Sequence, residues 1–405
     1  MRIAFDAPEL HADGSTVRER YFIQGEPDVG WTIERAKGSP LELGPGYRLL
    51  EVQACGVCST DLARPHLPFP LPQVVGHEVL ARDESGRRVV IEINASHAAR
   101  GLASDCETCR NGLDTHCPER LVLGIDRLPG GFGPWVLAPC QGILEVPDVI
   151  DDATALLCEP FAAALHAVDA SPPRRGDSVL VVGPRRLGML VIAALASRRR
   201  SWNRDFEIRA RVRREELGDL AREFGADRFE VAGLARDEAA DLVFETSGSP
   251  LALDDAIRLA RRHLHLKSTH GRDAADLKHL TEFVVAELGL VVSEPGRGIH
   301  DDRSLDDQIL GRALGPAAQP RSRLALDPDG AFRSVLSQAV SRRALEVSSS
   351  RCGSFAAALA VLAADPDLAS LGTRLVSHRF QRRDLDQALA VAASPDAVKV
   401  IVGDL

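Results

Sequence analysis

From Asp177 to Ser268 the chain alternates β-type and helical runs: Ser178 to Val182, a helical Leu187 to Ser197, Phe206 to Val212, Glu215 to Phe224, Asp241 to Glu245, Leu251 to Arg262 and His263 to Ser268. Tight turns cannot join parallel strands, so this order predicts an α/β fold with a doubly wound parallel sheet, each crossover right-handed and helical. Residues 1 to about 150 read differently, being rich in Pro and Gly with short runs such as Tyr47 to Val52 and Arg88 to Ile93, which predict short strands between turns. The tail predicts a helix at Phe355 to Ala364 and short strands within Arg374 to Phe380 and Ala397 to Val402, suited to a return to the first half. Ser293 to Asp329 is rich in Gly, Pro, Asp and Arg and too long for an ordinary connection, so an inserted lobe or flexible loop is expected there.

Composition narrows the function classes. At 405 residues, 45% hydrophobic and 26% charged, the chain is sized for more than one core and is of ordinary globular character. With 49 Lys and Arg against 58 Asp and Glu, the net charge is -9, and no global basic field exists to attract nucleic acid. Aromatic residues are scarce at 4%, which disfavours a stacking platform for bases or sugars. No apolar stretch approaches ~18 residues, and Met1 to Gly14 lacks the basic start and apolar run of a secretory signal, so a cytoplasmic chain without a membrane partner is expected. The eight cysteines are clustered, which in such a chain points to metal rather than to disulfides. A small-substrate enzyme is the class that remains.

Gly56-Val57-Cys58-Ser59-Thr60-Asp61 is followed, after a Pro-rich bend, by Val75-Gly76-His77-Glu78, which places a thiolate, an imidazole and two carboxylates in one strand-loop region. Zinc takes such ligands, with three from protein and an open fourth position where it is catalytic. Leu157-Cys158-Glu159-Pro160-Phe161 offers a further contributor, and on the residues alone either Cys158 or Glu159 completes the set. The plainer alternatives are a helix N-terminal carboxylate for Glu159 and a small buried side chain for Cys158.

A strand at Val179 to Val182 runs into Gly183-Pro184-Arg185-Arg186-Leu187-Gly188 and then a helix, the setting of a dinucleotide-binding turn. Gly183 and Gly188 match the first and third glycines of that fingerprint. Arg185 stands where the second glycine lets the backbone approach pyrophosphate, and it is a candidate for contacting the phosphate itself. The next strand closes on Arg211-Val212-Arg213-Arg214 without the carboxylate that binds ribose hydroxyls in NAD enzymes. Arg213 or Arg214 can instead clamp a 2'-phosphate by bidentate hydrogen bonds, which favours NADP(H) over NAD(H). The alternative is a pair of solvated arginines at a helix start.

In this order, the segments at 56–61, 75–78 and 158–160 resemble the medium-chain zinc-dependent alcohol dehydrogenase family, above all its threonine- and sorbitol-dehydrogenase-like branch. The resemblance implies a catalytic zinc held by Cys58, His77 and Glu159, with Glu78 exchanging on and off the metal. It also implies that Thr60 relays the alcohol proton and that Asp61 orients His77. Many members carry a His a few positions after that Asp, whereas here Leu62, Ala63 and Arg64 follow, so the outer part of the relay departs from the pattern.

Cys106-Glu107-Thr108-Cys109 and Cys117 resemble the family's structural zinc lobe, which normally supplies four cysteines. Alignment on Ile93-Asn94 puts His97 where the first cysteine falls. Three readings stay open: zinc with His97 or Asp105 as fourth ligand, zinc with three cysteines and water, and a lobe without metal. Glu245-Thr246-Ser247-Gly248-Ser249-Pro250 and Leu266 to Gly271 resemble the cofactor-facing loops after the fourth and fifth strands, with Thr246 and Gly248 as candidate contacts. Ser350 to Phe355 and Ala397 to Val400 resemble the closing segments.

The implied architecture is a GroES-like β catalytic domain at 1–171 completed by 350–405, and a Rossmann-like cofactor domain at 172–349 with an insertion near 293–329. The implied activity is hydride transfer between NADP(H) and a small polar alcohol or polyol, or the reverse carbonyl reduction, in a homo-oligomer, dimer or tetramer. Two rivals are a degenerate member that binds nucleotide or a protein partner without turnover, and a dehydrogenase of a larger or carrier-bound substrate that docks on the insertion.

Overall fold

The computed structural model describes residues 1–234, 237–268, 273–293, 305–314, 319–326 and 334–403. The chain divides into two compact units, Met1–Glu159 with Phe355–Leu405, and Pro160–Ser354. Among the described residues no helix is long and apolar enough to cross a membrane.

The first unit is mostly β. Its N-terminus folds as an antiparallel meander of Arg2–Leu10, Thr16–Glu26, Gly30–Arg35 and Leu41–Leu43. A seven-stranded sheet follows, built around Tyr47–Gly56, whose residues Leu49, Leu50, Val52, Ala54 and Cys55 are buried. That strand pairs with Glu78–Arg82, Trp135–Pro139 and the C-terminal Lys399–Gly403. The predicted return of the tail is therefore found. It also contains a helix at Leu385–Ala393 that the sequence reading did not anticipate, packed through Leu385, Ala388 and Ala392.

The second unit holds an eight-stranded sheet in the order Arg228–Val231, Glu207–Val212, Ser178–Val182, Ala240–Glu245, Ala260–Leu266, Glu346–Ser349, Gly289–Val292, Arg323–Leu326. The first six are parallel, as the alternation requires. Leu180, Val243, Leu264 and Val347 from four of them pack with Phe283 and Leu290 in one core. Burying apolar surface at about 25 cal/mol per Å² makes this contact the main stabilising force of the unit.

Two sequence expectations are corrected. The helix expected to reach Arg262 ends at Leu259, because Ala260 is extended (φ -74°, ψ 123°) and already pairs with Ala240. The described part of 293–329 forms no separate lobe: after the helix Leu305–Leu314, Arg323–Leu326 pairs parallel with Gly289–Val292 and widens the sheet. Leu324 and Leu326 supply the reason, since this short alternation buries both in the core while Arg323 faces out. Residues 294–304, 315–318 and 327–329 of that stretch lie outside the described residues, as do Thr269, His270 and Gly271 of the loop after Ala260–Leu266.

Candidate active site

Ser59–Ala63 forms a short helix directly after the central strand, and Cys58 at its N-cap points its sulfur toward the loop that carries His77. Asp61 is the buried centre of this turn. Its Oδ2 accepts from the Cys58 N–H at 2.8 Å, and its Oδ1 accepts from the Gly76 N–H at 3.2 Å and lies 3.4 Å from His77 Nδ1. One carboxylate thus fixes both segments, as ligand-orienting partners do. Burial opposes charge on His77, but the Asp61 carboxylate and the Cys58 sulfur outweigh it and raise its pKa well above the ordinary imidazole value.

The ligand-type atoms of Cys58, His77 and Glu78 all lie within 4.8 Å of one another. A sulfur, an imidazole nitrogen and a carboxylate oxygen at that spacing fit zinc, and the Asp61 bridge is the outer support such a site uses. Thr60 Oγ1 lies 3.6 Å from the Cys58 sulfur. Glu159 sits half-buried in the first turn of the helix Cys158–Ala170 and is not in that group of three. The Cys158 thiol is buried, donates to the Phe355 carbonyl at 3.8 Å, and has its pKa pushed up by burial, which makes it a core side chain.

The sequence reading assigned no role to Lys399, whose ammonium is ion-paired with Glu78 and donates to the Val57 carbonyl at 3.1 Å. Gly56 makes room for the pair, because a Cβ there would overlap the Glu78 carboxylate and lie 3.0 Å from Lys399 Nζ. The available signal was a lone lysine in the run Val398 to Val402, since a charge inside an apolar strand requires a partner. Arg64, just after the turn that holds Asp61, is fully buried and donates to the Pro70 carbonyl at 3.0 Å and Gln73 Oε1 at 3.2 Å. It braces the Pro-rich bend.

His97, Cys106, Cys109 and Cys117 form a second group with metal-ligand spacing. His97 Nδ1 lies 3.4 Å from the Cys117 sulfur and 3.8 Å from that of Cys109, while its Nε2 is 3.3 Å from Glu119. Ser96 positions the histidine by capping its helix turn, accepting from the Ala99 N–H at 3.1 Å. The Thr108 hydroxyl and the Cys109 N–H hold the Cys106 thiol down at about 6, favouring the thiolate that binds metal. Asp105 is not in this group.

In the second unit, Gly183 turns the chain out of Ser178–Val182 with φ +73°, and a Cβ there would overlap Ser247. Gly188 packs against Thr246, whose Oγ1 would be 2.5 Å from an added Cβ and donates to the Val182 carbonyl at 2.9 Å. Glu245 Oε1 accepts from the N–H groups of Ser247 at 2.7 Å and Gly248 at 3.2 Å, fixing the neighbouring loop. The two glycines let the Thr246 and Ser247 side chains pack closely against the turn at the carboxyl ends of the strands where the order reverses, the place where a dinucleotide binds in such sheets. Arg185 and Leu187 lie half-buried in and just beyond the turn.

After Glu207–Val212, Arg211 is committed to Glu230 at 2.9 Å, Asp237 at 3.2 Å and Asp255 at 3.1 Å. Arg213 is exposed and Arg214 is the N-cap of Glu215–Glu223.

Residues 44–148 match the alcohol dehydrogenase GroES-like domain. The L-threonine 3-dehydrogenase of Rhizobium johnstonii is 27% identical over 255 residues, 58% of this chain and 71% of that protein. That of Pectobacterium carotovorum is 29% identical over 251 residues, 56% of this chain and 67% of the relative. In fold the chain is similar to L-idonate 5-dehydrogenase of Escherichia coli, with TM-score 0.64, 16% identity and coverage of 100% and 99%. A zinc-binding dehydrogenase of Sinorhizobium meliloti bound to NADP is similar with TM-score 0.62, 21% identity and 99% coverage of both chains.

Proposed function

We infer that this chain is a member of the threonine- and sorbitol-dehydrogenase-like branch of the medium-chain zinc-dependent alcohol dehydrogenase family and an oxidoreductase transferring hydride between NADP(H) and a small polar alcohol or polyol, or its carbonyl counterpart. The observation that carries this reading is the convergence of Cys58, His77 and Glu78 within 4.8 Å. The polar substrate class is supported by relatives and structural neighbours whose names specify threonine and idonate.

When bound, zinc supplies Lewis-acid polarisation of the substrate oxygen, and the nicotinamide supplies the hydride exchange. Cys58, His77 and Glu159 would hold the metal, with Glu78 as a further carboxylate ligand. Asp61 keeps His77 and the Cys58 turn in register through its three contacts. Thr60 takes the proton that the alcohol gives up. His97, Cys106, Cys109 and Cys117 hold a structural zinc.

Gly183, Arg185, Leu187 and Gly188 form the pyrophosphate turn, Thr246 and Gly248 line the loop beside it, and Arg213 with Arg214 binds the 2'-phosphate. The test is a fluorescence titration with NADPH and NADH on protein whose zinc has been counted, followed by an alcohol panel. Tighter NADPH binding that is lost in Arg213→Ala supports the reading. Failure of metal-loaded protein to bind either nucleotide overturns it.

A further inference from the structure

In the unit 160–354, the strand Ala260–Leu266 lies between two parallel neighbours, where a strand is expected to be apolar throughout. Its side-chain period of two instead puts buried His263, His265 and, just past its end, Lys267 on one side. Ser348 Oγ lies 2.7 Å from His263 Nε2 and 2.8 Å from His265 Nδ1, and Ser350 Oγ lies 2.9 Å from His265 Nε2. Lys267 Nζ donates to the Ser350 carbonyl at 2.8 Å, to Ser350 Oγ at 3.3 Å and to the Arg351 carbonyl. Burial pushes His263 down to about 4 and, together with the neighbouring Lys267, holds His265 well below its ordinary value, so both rings are neutral near pH 7.

In an open parallel sheet the ligand lies beyond the carboxyl ends of the strands, across the point where their order reverses. That point falls between Ser178–Val182 and Ala240–Glu245. The Gly183 turn takes the pyrophosphate and Arg213 marks the adenosine side. The nicotinamide half is thereby directed to the ends of Ala240–Glu245, Ala260–Leu266 and Glu346–Ser349, the rim that carries Lys267.

Resting on the dinucleotide reading above, we propose that Lys267 raises the reduction potential of the bound cofactor. The oxidised nicotinamide ring carries one positive charge and the reduced ring none, so a fixed ammonium on that rim weakens binding of the oxidised form selectively. When the alcohol carbon passes its hydrogen with the bonding electron pair to the ring, the alcohol becomes a carbonyl, the ring becomes neutral, and the hydroxyl proton is released to solvent. Lys267 favours that transfer by relieving repulsion between two cations, and the same repulsion appears as tighter holding of the reduced dinucleotide.

The experiment measures dissociation constants for NADPH, by fluorescence, and for NADP+, by displacement, on the full-length wild type, Lys267→Met and Lys267→Arg at one salt concentration. The wild type should bind NADPH more tightly. Lys267→Met should shrink that preference about tenfold, equivalent to about 30 mV for a two-electron couple, and Lys267→Arg should keep it. An unchanged ratio in Lys267→Met overturns the proposal while leaving the cofactor reading intact. Equal wild-type affinity for both forms does the same without any variant, and failure of the wild type to bind either form overturns both.

Discussion

Lys399 and Glu78, 321 positions apart in the chain, meet as an ion pair closed off from solvent beside the Cys58 and His77 ligand atoms. The sheet brings them together: Gly56 pairs with Glu78 on one side and with Ile401 on the other, and its missing side chain leaves the space they fill. Glu78 is therefore both a metal-type ligand and the partner of a fixed cation.

Breaking the pair from the lysine side leaves a buried carboxylate, a change that costs about 3–5 kcal/mol. We expect Lys399→Met to lower stability by that amount in urea unfolding, and the Glu78→Leu/Lys399→Met double variant to be more stable than Lys399→Met. Additive losses in the double variant would show that the contact carries no coupling.

Metal analysis should find two zinc ions per chain. Cys58→Ser should retain one and lose alcohol turnover, whereas His97→Ala should also retain one but show its main effect as a lowered melting temperature. A wild type with a single zinc that survives His97→Ala would remove the second site from the assignment.

Gly183→Ala should weaken NADPH binding more than tenfold and destabilise the protein by about 1–3 kcal/mol, since φ +73° and the overlap with Ser247 both oppose a Cβ. Gly176→Ala is the control, because its φ of +80° is equally strained but its Cβ meets nothing within 4 Å. Equal nucleotide affinity in the two variants would contradict the pyrophosphate turn.

The buried histidines make folding sensitive to acid. His263 is held near 4 by burial and His265 is depressed further, whereas both return to about 6.5 when unfolded, so the unfolded chain binds more protons between those limits. Their contribution is complete above about pH 6.5 and is lost as pH falls toward 4, with His263 alone accounting for roughly 3 kcal/mol. Urea midpoints measured from pH 7 to 4 should show this fall, and it should be shallower in a folded His263→Asn variant.

Local chemistry made much of this protein legible in its sequence. The alternation after Asp177 determined a parallel sheet, because parallel strands require crossovers, and the Gly183 and Gly188 positions marked the turn after Ser178–Val182, because only glycine suits the turn and the close approach. Cys58, His77 and Glu78 could be grouped because a metal demands those donor types. Tertiary structure decided what depends on distant partners. It assigned Lys399 to Glu78 through the order of strands and gathered His97 with Cys106, Cys109 and Cys117 across a helix turn. It folded Arg323–Leu326 into a sheet edge, and it turned the polar residues of Ala260–Leu266 into a satisfied buried ladder. A buried charge or imidazole is tolerated only where a complementary group arrives in space, and that arrival is set by sheet register and packing rather than by neighbours along the chain.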